Sequence, residues 1–144
     1  MDKSLEDWER EFVKSEDIQS EDLKKLLDKG SRFSEIQEDG YVRIKKNGEK
    51  EFSDKTQIQL ILIARYLANA LQTRLGRPNP IPASVTVSEF VEMIKRPEKS
   101  VTSRLSDLRK EHAIDDVARG EYKIKLSAIE DFLDNLVKTY GESD

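Results

Sequence analysis

The chain has 144 residues, enough for one full core or one domain with an appendage, and too few for two sizeable domains. With 36% hydrophobic and 38% charged residues and a formal net charge of -4, it reads as a highly charged globular protein with a modest core. It has no cysteine, which excludes disulfides and thiolate metal sites, and no uncharged apolar run long enough to span a membrane. The acidic start from Met1 to Asp7 lacks the features of a secretory signal, so the expectation is a cytoplasmic protein with no membrane contact.

Ser4 is placed to cap a helix running to about Lys14, with Leu5, Trp8 and Phe12 three and four residues apart as a narrow apolar stripe. Ser20 is placed to cap a second helix through Leu23, Leu26 and Leu27, closed by Lys29 and by Gly30 as a left-handed cap. Helices this short are marginal in water alone, so the Trp8/Phe12 stripe requires a surface: the body of the chain, a partner, or a second copy. Arg32 to Asp39 reads as a connection with room for a short strand, Phe33 and Ile36 being its large apolar residues. Asn47-Gly48, flanked by Tyr41, Val42, Ile44 and Phe52, predicts a β-hairpin over 41–52, because both turn residues tolerate positive φ. Lys45, Lys46 and Lys50 near its tip either touch phosphate or keep a strand edge soluble. Residues 1–53 are thus expected to form an N-terminal extension.

Asp54 and Gln57 match a capping box and open the most apolar stretch, a core helix over 54–75. Ile58, Leu60, Ile61, Leu62, Ile63, Leu67, Ala70 and Leu71 wrap most of its circumference, so it has to be covered on more than one side. Gly76 ends it, and the prolines at 78, 80 and 82 impose an extended loop. Thr86 and Glu89 form a second capping box, opening a helix over 87–96 with Phe90, Val91 and Ile94 on one side; Pro97 stops it and suits the opening of the next.

That next helix, 98–111, lines up Val101, Leu105 and Leu108 as its core face. The opposite face carries Lys99, Ser103, Ser106 and Lys110, with Thr102 and Arg109 on one flank and Ser100 and Arg104 on the other. Short alternating runs at 113–117 and 122–126, separated by Ala118, Arg119, Gly120 and Glu121, predict a hairpin over 113–126. Ser127 and Glu130 match a further capping box for a last helix over 128–140, whose broad apolar face of Ile129, Phe132, Leu133, Leu136, Val137 and Tyr140 either packs on the core helix or joins two copies.

Helix, tight turn, helix and hairpin in this order make a winged helix. The expected fold is α+β, mainly helical, with a winged helix-turn-helix domain at 54–144 carrying the extension. The segment PEKSVTSRLSDLRKEHAI resembles the recognition helix and exit of winged helix-turn-helix transcriptional regulators, in which a Ser/Thr/Arg-rich helix ends in a Leu-x-x-Leu-Arg-Lys pattern before a short strand. Here that pattern is Leu105, Leu108, Arg109 and Lys110, with Ile114 in the strand. The resemblance covers about residues 54–140 and names no subfamily. The chain departs from it at His112, where such proteins commonly have glycine, and at Asp107, a negative charge beside the DNA-facing surface.

The resemblance implies sequence-specific binding of double-stranded DNA and transcriptional regulation, with a dimer through the last helix or the N-terminal helices. Lys99, Ser100, Thr102, Ser103 and Ser106 are then candidates for base-edge or near-phosphate contacts, Arg104, Arg109 and Lys110 for phosphate contacts, and Arg119, assisted by Lys123 or Lys125, for the backbone or adjacent minor groove. Charge distribution supports this: residues 1–53 hold 11 basic and 15 acidic residues, while 95–110 hold six basic and two acidic. Against it, Arg104 can pair with Asp107, and Arg109 and Lys110 can decorate a solvated helix end. The competing expectation is a winged helix used as a protein-interaction module. His112 is the only histidine and no phosphate loop or nucleophile elbow is present, so no catalytic residue, metal or cofactor is expected.

Overall fold

In the computed structural model, which describes residues 2–13, 18–45 and 51–141, every other packed element is arranged around one long helix, α3 (Asp54–Arg74). Its cap is Ser53, one residue ahead of the expected Asp54: the Ser53 hydroxyl accepts from the Thr56 amide, while Gln57 donates to the Phe52 carbonyl at 2.7 Å. Ile58, Leu60, Ile61, Leu62, Ile63 and Leu67 are all buried, as a helix apolar on most sides demands, but Leu71 is 37% exposed.

Helix α2 (Ser20–Gly30) lies against α3 and runs the opposite way, with Arg74 at its start and Leu67 at its end. Ser20 does not cap it; its hydroxyl accepts from Arg74 at 2.7 Å, and Arg74 also donates to the Ile18 carbonyl. Gly30 is not a left-handed cap but the buried last residue of α2, where a Cβ would stand 3.1 Å from Leu67 Cδ1. Glycine serves there by letting two helices approach.

The hairpin expected over 41–52 forms earlier in the chain. Strand β2 (Val42–Ile44) pairs antiparallel with β1 (Ser34–Ile36), in the register Ser34↔Ile44 and Ile36↔Val42. Asp39-Gly40 makes the reversal: Gly40 has φ 93°, the Tyr41 amide donates to the Asp39 carboxylate at 2.9 Å, and the Gln37 amide donates to the Tyr41 carbonyl at 2.9 Å. This pairing buries Phe33 and Val42 with the core, which decides the register. Asn47-Gly48, with Lys46 and Lys50, lies outside the described residues. Phe52 is not in a strand; it is buried, edge-on to Phe33 and to Tyr140 at ring distances of 6.2 and 5.3 Å.

Past the proline loop come β3 (Val85–Thr86), α4 (Val87–Ile94) and α5 (Glu98–Lys110). The Thr86–Glu89 capping box is present: the Glu89 amide donates to Thr86 Oγ1 at 3.2 Å and the Thr86 amide to Glu89 Oε1 at 3.0 Å. Helix α4 stops two residues short of the expected end because Lys95 turns left-handed (φ 56°, ψ 49°), and Pro97 caps α5 rather than occupying its first position. Strands β4 (Ile114–Ala118) and β5 (Glu121–Ile124) complete an antiparallel sheet in the order β3-β5-β4.

Helix α6 (Leu126–Leu136) begins ahead of Ser127, so the Ser127–Glu130 box does not form, and it ends in a π-helical turn, Val137–Gly141. Its apolar residues Ile129, Leu133 and Leu136 face the chain's own core beside α2, and Lys29 Nζ meets Asp134 Oδ1 at 2.5 Å across the two helices. The inner part of the face considered for a dimer is therefore covered in cis, while Phe132 and Val137 are half-buried and Tyr140 is exposed. One apolar cluster runs from Ile18 to Leu136, so residues 18–52 share a core with the residues after 54. The fold is α+β and mainly helical. Helix α1 (Leu5–Phe12) stands apart: Ser4 and Asp7 cap it as a box, but Leu5, Trp8 and Phe12 are 88%, 51% and 83% exposed, so the body does not cover the stripe.

Candidate nucleic-acid interface

Helix α5 is anchored by Val101, Leu105 and Leu108, all buried, and clamped at both ends. At its start, left-handed Lys95 sets the turn and Arg96 reaches back to the beginning of α3, Nε to Asp54 Oδ1 at 3.1 Å and Nη2 to Glu51 Oε2 at 3.6 Å. At its end the Ala113 amide donates to Leu108 O and the His112 amide to Arg109 O, both at 3.0 Å, a Schellman closure with His112 left-handed at φ 59°. Lys55 Nζ to Glu111 Oε2, 2.5 Å, ties the same end to α3. What α5 presents outward is thus fixed by its buried face and by the contacts at its two ends.

The outward face brings together Lys99, Thr102, Ser103, Ser106 and Lys110, all exposed. Lys99 and Lys110 are eleven residues apart, about 16 Å along the axis, with only hydroxyl side chains between them. Neither lysine has an ion-pair partner among the described residues. The two arginines are differently placed. Arg104 Nε is 3.2 Å from Asp107 Oδ2, on the flank that borders Asp54 and Pro97 together with the half-buried Ser100. Arg109 turns to the hairpin, Nη2 3.2 Å from Asp116 Oδ2.

In the hairpin, Arg119 is exposed at the turn, next to Gly120 at φ 74°. That turn does not stand free: the Gly120 carbonyl accepts from the Val87 amide at 3.0 Å, pinning it to the start of α4. Lys123 sits half-buried in β5, opposite Asp115, and Lys125 Nζ is 3.7 Å from Asp115 Oδ1, so neither lysine is at the tip with Arg119. Exposed Lys95, in the turn between α4 and α5, borders β2 and the end of α4 and was visible only as part of the local positive excess.

A second polar arrangement had one sequence signal, an arginine in the middle of the most apolar stretch. Arg65, 3% exposed, donates Nε to the Gly40 carbonyl at 2.7 Å and Nη1 to the Ser84 carbonyl at 2.9 Å, and pairs through Nη2 with Glu89. Burial raises the Glu89 pKa, but the Thr86 backbone hydrogen bond and the hydrogen bond and charge of Arg65 outweigh it, leaving the carboxyl below its ordinary value. Through Arg65, the start of α4 is held to α3 and to the β1–β2 turn. Among the described residues no group of three His, Asp or Glu side chains is placed to hold a metal ion, and no helix is long and apolar enough to cross a membrane. No protein-family model, curated protein or solved structure matches the chain.

Proposed function

We propose that this chain binds double-stranded DNA as a winged helix and acts as a sequence-specific transcriptional regulator. The element order α3, β3, α4, α5, β4, β5, with strands ordered β3-β5-β4, suits that reading. The observation that carries it is the outer face of α5: small hydroxyl residues, which let a helix enter a major groove about 12 Å wide, between two lysines with no ion pair among the described residues and spaced to reach the phosphates of both strands. Thr102, Ser103 and Ser106 face base edges, Lys99 and Lys110 the backbone, and Arg119 the phosphates beside the α4 start. Arg104 and Arg109 join by exchanging Asp107 and Asp116 for phosphate, a modest exchange because exposed ion pairs contribute about 0–1 kcal/mol.

The test is a titration of random-sequence duplex DNA at several salt concentrations. Counterion release gives a slope of about -0.9 per phosphate contact, so Lys99→Ala/Lys110→Ala is expected to flatten the slope by about 1.8. Selection from a random duplex pool then reports base reading. Absence of binding at low salt overturns the proposal and favours the protein-interaction reading, which rests on the exposed apolar stripe of α1.

A further inference from the structure

We infer that the base feature recognised by α5 is the 5-methyl group of a pyrimidine, and that Thr102 is the residue that reads it. The inference rests on the DNA-binding reading above and names what that face recognises. Three exposed side chains face the base edges, Thr102, Ser103 and Ser106. The side chains that single out one base by hydrogen bonding are Arg, Lys, Asn and Gln, with Asp and Glu accepting from cytosine; a hydroxyl both donates and accepts, and suits several base edges. The arginines of α5 are held on its flanks by Asp107 and Asp116. The hairpin adds no reader, since its turn is only Arg119 and Gly120 and is fastened through the Gly120 carbonyl to the Val87 amide. Hydrogen bonding on this surface therefore discriminates little between bases.

Thr102 differs from the two serines. Its hydroxyl turns back on its own helix, Oγ1 donating to the Lys99 carbonyl at 3.1 Å. With that proton committed inside α5, what Thr102 has left to offer a base is its methyl, and neither Ser103 nor Ser106 carries one. In the major groove the apolar feature of the base edges is the C5 methyl of thymine, which a threonine methyl packs against. The two serines are no longer than Thr102, so they do not hold its methyl away from the groove. Lys99 lies three residues earlier, about 4.5 Å along the axis, so its phosphate contact fixes the depth at which Thr102 enters.

The test titrates the full chain, at one low salt concentration, with alternating A·T duplex and with the same duplex carrying uracil for thymine. Uracil keeps the hydrogen-bonding edge of thymine and lacks only the methyl, and the phosphates are the same in both. Binding to the uracil duplex is expected to be about fourfold weaker, the effect of burying one methyl group. Alternating G·C duplex with and without 5-methylcytosine identifies the source: a gain on methylation means that any 5-methylpyrimidine serves, and no gain confines the reading to thymine. Thr102→Ser keeps the hydroxyl and drops the methyl, and is expected to bind the thymine and uracil duplexes alike. Thr102→Val keeps a methyl and is expected to retain the preference. The position is exposed, and the thermal midpoint is the control for folding. Equal affinity of the unsubstituted chain for the thymine and uracil duplexes overturns the inference while DNA binding stands. So does a preference that survives in Thr102→Ser, which traces it to the stiffness of the duplex. No binding to any of the duplexes overturns the DNA reading itself, and this inference with it.

Discussion

Arg65 in the middle of α3 and Glu89 in the first turn of α4 form a hydrogen-bonded ion pair, and the same Glu89 carboxylate closes the capping box of α4. One carboxylate thereby sets both where α4 begins and how it stands on the core. Arg65→Met leaves the Gly40 and Ser84 carbonyls and Glu89 without their donor. The expected cost is about 2 kcal/mol, less than for a fully buried pair because the Glu89 side chain is 36% exposed, read as a lower urea midpoint. Gly40→Ala strikes the same cluster from the other side, since its Cβ would lie 3.2 Å from the Arg65 guanidinium at a φ of 93°. A loss of about 2 kcal/mol is expected from strain and crowding together.

The lowered pKa of Glu89 gives stability a direction in pH. A carboxyl that binds its proton more weakly when folded stabilises the fold above the unfolded value of about 4.3, and that contribution is lost as pH falls through the folded value. Urea unfolding of Glu89→Gln and of the unsubstituted chain is expected to diverge at neutral pH and to converge under acid. Equal differences at every pH would remove the ionised carboxylate from the account.

His112 holds a left-handed conformation that glycine adopts without a Cβ penalty, at the position where the resembling regulators commonly carry glycine. His112→Gly is expected to stabilise the chain by about 1 kcal/mol, raising the melting temperature by about 3 °C. Because His112 follows α5 and is not among the side chains proposed to contact DNA, the salt slope of DNA binding is expected to stay unchanged.

Asp107 holds Arg104 at 3.2 Å on a flank of the α5 face proposed to meet DNA. Asp107→Asn removes a charge that repels phosphate and releases a guanidinium. Duplex affinity at low salt is expected to rise several-fold, and Arg104→Ala in that background to abolish the gain. No gain in the single variant would mean that this flank does not approach DNA.

Regular periodicity made most of the second half of the chain legible. Val101, Leu105 and Leu108, the Thr86–Glu89 box and the hairpin around Arg119-Gly120 all lie where 3.6-residue and two-residue spacing put them. The errors came from places where local chemistry competes with packing. Ser20 matches a cap, yet its hydroxyl is taken by Arg74, 54 residues away. Asn47-Gly48, the turn expected on local grounds, lies outside the described residues, whereas the pairing of β1 with β2 through Asp39-Gly40, in a stretch read as a connection, buries Phe33 and Val42 together. Gly30 fits a helix stop in sequence and a helix contact in space. In the candidate interface the outer face of α5 followed from the helical wheel, whereas the retention of Arg109 by Asp116 depends on a strand that periodicity cannot orient.

The contact between α2 and α6 bears on how the chain is made. Lys29 and Asp134 are 105 residues apart, and Leu133 stands 4.0 Å from the place of a Gly30 Cβ. A chain emerging from the ribosome can pair α2 with α3 early, but that pair keeps an apolar side bare until α6 follows. The core therefore closes only once α6 has emerged, and a nascent chain halted before Ile129 is expected to expose the surface that α6 later covers.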